Sequence, residues 1–317
     1  MQISCTDRLQ FLGTPDQEGP PVRIPTATDL AAGSAADTAD TADTGTIDGL
    51  AYDLRGPQDG TPVIQLHGLT SSRARDVAMK LDLTAGQDAL RVLRYDARGH
   101  GHSAAAPLPA SYRWTSLAKD LEQVSGYFTG EQNTRPVHVV GQSMGAATIL
   151  TSAAADPDLA IERYGSMVLG IPPTAWELRG DRAGIYERNA QFVESHGLSA
   201  FAESTRDEPV PPARGADIPF TVPDVAESLL PVVFRGAAGN DLPSRERIAA
   251  LGERGIPTLI LAWPGDTAHP LAVAEELREL LPESQLIFAQ TPEDVGRWPD
   301  MIGSFIRNAA RTSRATT

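Results

Sequence analysis

Residues 137–150 read Val137-His-Val-Val-Gly141-Gln-Ser143-Met-Gly145-Ala-Ala-Thr-Ile-Leu150. A β-branched run of strand type leads into Gly-x-Ser-x-Gly, and an Ala-rich run of helical type leads out of it. Strand, tight turn, helix is the context in which a serine is carried on a sharp corner at the C-terminal edge of a sheet. Side chains two residues either side of that serine would collide in so tight a turn, which accounts for Gly141 and Gly145. Ser143 is therefore the candidate nucleophile. The N–H of Met144, at the start of the following helix and unpaired by it, is a candidate donor to an oxyanion.

Working outward, Val63-Ile-Gln-Leu66, Leu90-Arg-Val-Leu-Arg-Tyr95, Ser166-Met-Val-Leu169, Thr258-Leu-Ile-Leu261 and Gln285-Leu-Ile-Phe288 are further short apolar runs suited to strands buried on both faces. Amphipathic patterns predict helices over 73–86, 115–129, 145–155, 244–254, 270–281 and 299–310. The alternation predicts an α/β fold with a doubly wound, mostly parallel sheet. Residues 171–235 interrupt the rhythm and read as an insertion between core segments 47–170 and 236–317. Trp176, Tyr186 and Phe192 in it are candidates for lining a substrate cavity, with packing against the core as the competing reading. Residues 1–46, with Ala-Asp-Thr repeated from Ala36, Ala39 and Ala42, are expected to form a low-complexity arm.

The chain has 317 residues, 41% of them hydrophobic, enough for one large core. A formal charge of −14 provides no basic surface for nucleic acid or an anionic membrane, so neither is an expected partner; a small-molecule substrate is. A single cysteine, Cys5, excludes an intrachain disulfide and a multi-cysteine zinc site. No metal and no cofactor is called for. The first residues lack the apolar stretch of a secretory signal and no run has membrane-spanning length, so a cytoplasmic location is expected.

Two loops flank the candidate nucleophile. His67-Gly68-Leu69 closes the Val63 strand, where a turn can aim the Leu69 N–H at the same oxyanion. Asp96-Ala-Arg-Gly-His-Gly-His-Ser103 reads as a Gly-rich loop held by its own hydrogen bonds. With these, HGL, DARGHGHS, GQSMG and GDTAHP stand in the order found in α/β-hydrolases, each at a strand end, and from 47 to 310 the chain resembles that superfamily. The resemblance implies an eight-stranded sheet, a cap after the sixth strand, and an acid after the seventh, the position Asp266 occupies.

One feature of the superfamily is missing. Most relatives carry the base on the loop after the eighth strand, here Ala289 to Trp298, which contains no histidine. A serine hydroxyl is a weak nucleophile without a base, so either the base has moved or the chain is not a hydrolase. Of six histidines, His67, His100 and His102 belong to the flanking loops and His138 to the strand before Ser143. His269 is the first candidate base, on a loop two strands from Ser143, about 10 Å sideways at about 4.8 Å per strand. A subgroup of hydrolase-like sequences resembles this chain in placing histidine at that junction. His196 is the alternative base, and Glu293 or Asp294 are alternatives to Asp266 for orienting the ring. The expected activity is hydrolysis of an apolar ester or lactone through an acyl-enzyme on Ser143. The alternative is a hydrolase-like lyase, cyclase, isomerase or small-molecule binder without a complete triad.

Overall fold

Val63, Ile64, Val139, Val140, Met167, Val168, Leu169, Ile260 and Leu261 have no exposed surface. Adjacent residues of a strand point to opposite faces, so consecutive burial requires a sheet covered on both sides. The computed structural model describes residues 43–130, 135–215 and 217–315 and contains such a sheet. Its eight strands are β1 (Asp43–Ile47), β2 (Leu50–Arg55), β3 (Thr61–Leu66), β4 (Leu90–Tyr95), β5 (Val137–Gln142), β6 (Tyr164–Gly170), β7 (Thr258–Ala262) and β8 (Ser284–Phe288). They lie in the order β1-β2-β4-β3-β5-β6-β7-β8. Only β1 and β2 run antiparallel to their neighbours; every pair from β4 to β8 is parallel.

Two hydrophobic layers cover the faces. Helices α2 (Trp114–Thr129), α3 (Met144–Ala155), α7 (Arg245–Gly252) and α8 (Leu271–Leu280) bury Leu121, Ile149, Ile248 and Leu277 on one side. On the other, α10 (Trp298–Ala315) buries Trp298, Ile302 and Ile306, with Leu81 and Leu83 following the short helix α1 (Arg73–Ala78). Between β6 and α7 run α5 (Arg182–Ser204), broken at Gly197, and α6 (Leu230–Ala238). These two bury Ala190, Val193, Phe201, Leu230, Val233 and Phe234 in a cluster of their own.

The structure departs from the sequence reading at four places. Asp43-Thr-Gly-Thr46, expected in the arm, pairs with β2, because an edge strand can be held by backbone bonds alone. The Asp48-Gly49 turn behind it has positive φ at both residues (47° and 83°), the two-residue hairpin geometry that Asp-Gly favours. The rest of the arm, 1–42, lies outside the described residues. The helix expected over 73–86 stops at Met79: Lys80 takes φ 54°, and the Leu81 and Lys80 amides close back on Asp76 and Val77 carbonyls, a left-handed helix stop with lysine where glycine is usual. An unexpected helix, α4 (Pro157–Arg163), follows α3; the Asp156 side chain caps the Leu159 amide and Pro157 opens the first turn. Finally, α6 runs past the expected end of the insertion at 235.

An alternating chain of ion pairs joins the sheet edge to the loops around the site. It runs Arg55–Asp82 (2.7 Å), Asp82–Arg94 (2.9 Å), Arg94–Asp53 (2.8 Å), Asp53–Arg73 (3.2 Å) and Arg73–Asp96 (3.1 Å). Beside it Asp76, 1% exposed, accepts a 2.6 Å bond from Ser71 Oγ. Burial pushes its carboxyl up to about 7, the Ser71 bond offsetting part of the effect. A carboxyl raised by folding contributes stability in full below its unfolded value of 3.8, and that contribution is lost as pH rises through about 7. Asp76→Asn is therefore expected to gain on the wild type in urea unfolding midpoint between pH 4 and pH 8, and a pH-independent difference would refute the ionisation of this carboxyl.

Candidate active site

The corner after β5 is strained at one residue. Ser143 has φ 50° and ψ −111°, a region that non-glycine residues rarely occupy and that costs on the order of 1–3 kcal/mol. The surroundings leave it no alternative. A Cβ on Gly141 would stand 2.5 Å from the Gly145 carbonyl carbon, and one on Gly145 would stand 2.6 Å from Leu66 O. The Ser143 amide donates to Gly170 O at 2.9 Å, and its carbonyl accepts the Ala147 amide at 3.0 Å. Strand β6 and helix α3 thus grip the corner from both sides and turn the hydroxyl outward.

Two amides flank the serine in the chain fold and are the candidates for an oxyanion site. Met144 N is the first of α3 and has no helical acceptor. Leu69 follows Gly68, where an added Cβ would meet Ser143 Cβ at 3.6 Å, so the β3 loop lies against the serine. Among the described residues neither amide has a hydrogen-bond acceptor. The loop is held from below. His67 donates from Nδ1 to Gly68 O (2.7 Å) and accepts the Ala97 amide at Nε2 (2.9 Å), and burial pushes its pKa down, which keeps this neutral tautomer. His100 donates from Nδ1 to Arg98 O and accepts the Thr70 amide at Nε2; burial, with His67 adjacent, lowers it to about 3. Asp96 accepts the amides of Arg73 and His102. These histidines support backbone and have no ring nitrogen left for proton transfer.

The loop from Trp263 to Pro270, between β7 and α8, supplies the other half. His269 Nε2 lies 2.8 Å from Ser143 Oγ. His269 Nδ1 lies 2.8 Å from Asp266 Oδ2. An ionised carboxylate only accepts, so Nδ1 carries the proton and Nε2 offers its lone pair to the Ser143 hydroxyl. Burial pushes the Asp266 carboxyl up, but the hydrogen bonds from His269, the Trp263 indole and the Ala268 amide outweigh it and hold it well below the ordinary carboxylate range. The other candidate imidazoles and carboxylates lie elsewhere. His196 is exposed on α5, bonded to Phe192 O and stacked on the Phe192 ring. His138 is buried against Ser166 Oγ and lowered to about 4 by that burial. Asp294 caps the short helix α9 (Pro292–Gly296) through the Gln290 and Thr291 amides, and Glu293 beside it is exposed.

Residues 63–299 match the sequence profile of the Alpha/beta hydrolase family. The chain belongs to that family. A protein assigned as carbamate hydrolase RutD in Variovorax paradoxus (strain S110) is 29% identical over 250 residues, 75% of this chain and 86% of that protein. Among solved structures, a thermophilic esterase from Thermogutta terrifontis superposes with a TM-score of 0.61 at 22% identity, covering 86% of this chain and 97% of that one. The enol-lactonase from Burkholderia xenovorans LB400 gives 0.61 at 21% identity, covering 84% and 100%. At these identities the two structures speak for the shared fold.

In this α/β hydrolase the three aromatic residues singled out in the insertion separate. Tyr186 and Phe192 flank the cluster of α5 and α6, which also takes in Leu69. Trp176 instead packs against the main core, its indole N–H on Pro243 O and the Arg245 guanidinium 4.5 Å from its ring centre. Contacts that no local pattern marks tie the 263–270 loop to the insertion: the Thr174 amide bonds Ala268 O, and Arg182 bonds Thr267 O. Trp263 is the exception, since an indole donor three residues before Asp266 was visible in the sequence. The tight corner predicts that Gly145→Ala destabilises the hydrolase by about 1–3 kcal/mol. Gly126→Ala, in α2 with nothing within 4 Å of the added carbon, is expected to stabilise it by about 0.5–1 kcal/mol. Denaturant midpoints of the two variants check both signs.

Proposed function

We propose that this hydrolase cleaves a carboxylic ester or lactone of a medium-sized, largely apolar substrate through an acyl-enzyme on Ser143. The carrying observation is the unbroken relay of two 2.8 Å contacts from Ser143 Oγ through His269 to Asp266. Ser143 attacks the carbonyl carbon while His269 Nε2 takes its proton, and Asp266 stabilises the imidazolium that forms. The Met144 and Leu69 amides receive the oxyanion, each such donor accounting for about 10²–10³ in rate. Collapse expels the alcohol, which takes the proton from His269; water activated by the same nitrogen then releases the acid.

Substrate preference rests on the insertion acting as a cap. Leu69 packs against both the main core and the cluster holding Tyr186, Phe192, Phe201 and Phe234, which supports an apolar setting for the acyl group. A carbamate, named for the relative from Variovorax paradoxus, presents the same kind of carbonyl and is the natural comparison substrate. The non-hydrolytic alternative drew its support from the missing histidine after β8; with His269 beside Ser143, no observation favours it.

A fluorophosphonate probe is expected to label wild type at Ser143 and not at all in Ser143→Ala, with labelling and ester turnover falling about a thousandfold or more in His269→Ala. Butyryl and hexanoyl nitrophenyl esters are expected to be cleaved with higher kcat/KM than the acetyl ester or an N-alkyl carbamate. Labelling that survives in Ser143→Ala, or a carbamate preferred over every ester and lactone, would overturn the mechanism or the substrate assignment respectively.

A further inference from the structure

Asp266 and His269 stand three residues apart on one loop, so their alignment cannot come from two separately anchored loops. Asp266 Oδ1 accepts the amides of Ala268 (2.9 Å) and His269 (3.2 Å), bonds internal to the turn that fix the carboxylate relative to the loop and not to the sheet. Oδ2 receives His269 Nδ1 and one further donor, Trp263 Nε1, at 2.9 Å. Among the described residues Trp263 is the only side chain besides His269 bonded to this carboxylate.

Trp263 is rooted in the core. It follows the last residue of β7 directly, is 3% exposed, and stacks on Trp298 of α10 with ring centres 5.4 Å apart and planes 13° apart. Arg214, whose guanidinium carbon lies 5.7 Å from the Trp263 ring centre and whose Nη1 bonds Met79 O, is the charged group of the insertion facing this corner. Arg182 faces the loop through Thr267 O. Neither arginine bonds the carboxylate.

We propose that Trp263 is a positioning residue of the catalytic centre, its indole N–H locking the Asp266 carboxylate to the rigid floor of the sheet so that a single short loop can hold His269 on Ser143. The inference rests on the serine-hydrolase reading above. The indole acts through Asp266 in two ways. It sets the rotation of the carboxylate, and by sharing Oδ2 with the imidazole it draws off part of the charge that stabilises the imidazolium.

The test is Trp263→Phe, which keeps a stacked ring and removes the donor. The expected result is a fall in kcat of about 10- to 100-fold with KM changed less than about threefold, as for a displaced catalytic group. Deprived of the competing donor, Asp266 holds the protonated imidazole more strongly, so the acidic limb of the kcat/KM profile moves to higher pH by about half a unit. Trp298→Phe is the control. Its own indole nitrogen is buried without a partner among the described residues, so this change removes no bond and is expected to leave the limb in place. Should Trp263→Phe fail to fold, β-(3-benzothienyl)alanine introduced at 263 keeps the bicyclic shape, replaces the N–H by sulfur and is expected to give the same shift. A limb that stays put, or a loss of activity equal in both tryptophan variants, overturns the role assigned to Trp263. Fluorophosphonate labelling undiminished in His269→Ala overturns the reading beneath it, and the two failures are read from different variants.

Discussion

The backbone corner at Ser143 is the constraint on which the rest of the site depends. A non-glycine residue at φ 50° is held there because two glycines let helix α3 approach the ends of β3 and β5 to distances at which any Cβ would collide. The same approach brings the loop after β3 against the serine, with Gly68 beside Ser143 Cβ. Everything else in the region answers to that geometry: the β3 loop rests against Ser143 at Gly68, and the β7 loop brings an imidazole to the remaining open side.

Charge is distributed around this corner with a clear division of labour. Beneath the β3 loop, buried neutral histidines bond backbone groups and the Asp96 carboxylate holds two amides and the Arg73 guanidinium, which tie the loop in place. On the β7 loop, by contrast, Asp266 is kept ionised in spite of burial by four donors, while Nε2 of His269 is left for the serine. The ring nitrogens beneath the β3 loop are spent on backbone groups, whereas His269, less deeply buried, keeps Nε2 2.8 Å from the Ser143 hydroxyl.

Carrying Asp266 and His269 on one loop leaves their alignment to that loop's anchors. Strand β7 fixes its start, the Trp263–Trp298 stack fixes the first turn, and the insertion fixes its middle through the Thr174 amide and Arg182. The insertion therefore touches the loop that carries His269, and Arg182 of α5 bonds Thr267 O directly.

The order of elements was legible from the chain alone, because strands buried on both faces write themselves as unbroken apolar runs and the corner after β5 writes itself as glycine, serine, glycine. Ser143, Met144 and Leu69 could be singled out for the same reason: each lies within a residue or two of a strand end that local pattern marks. Where local rules compete, the sequence was less informative. Lys80 stops a helix where glycine was the expected signal, and Asp43 to Thr46 join the sheet without apolar side chains. Only the tertiary structure could decide the partner of the serine, since the separation of residues 143 and 269 along the chain carries no information about the direction in which a loop side chain leans. Packing brings His269, and not His196, beside Ser143, and Asp266, and not Asp294, beside His269: Trp263 stacks on Trp298 and bonds the Asp266 carboxylate, while His196 bonds Phe192 O within α5 and Asp294 caps α9.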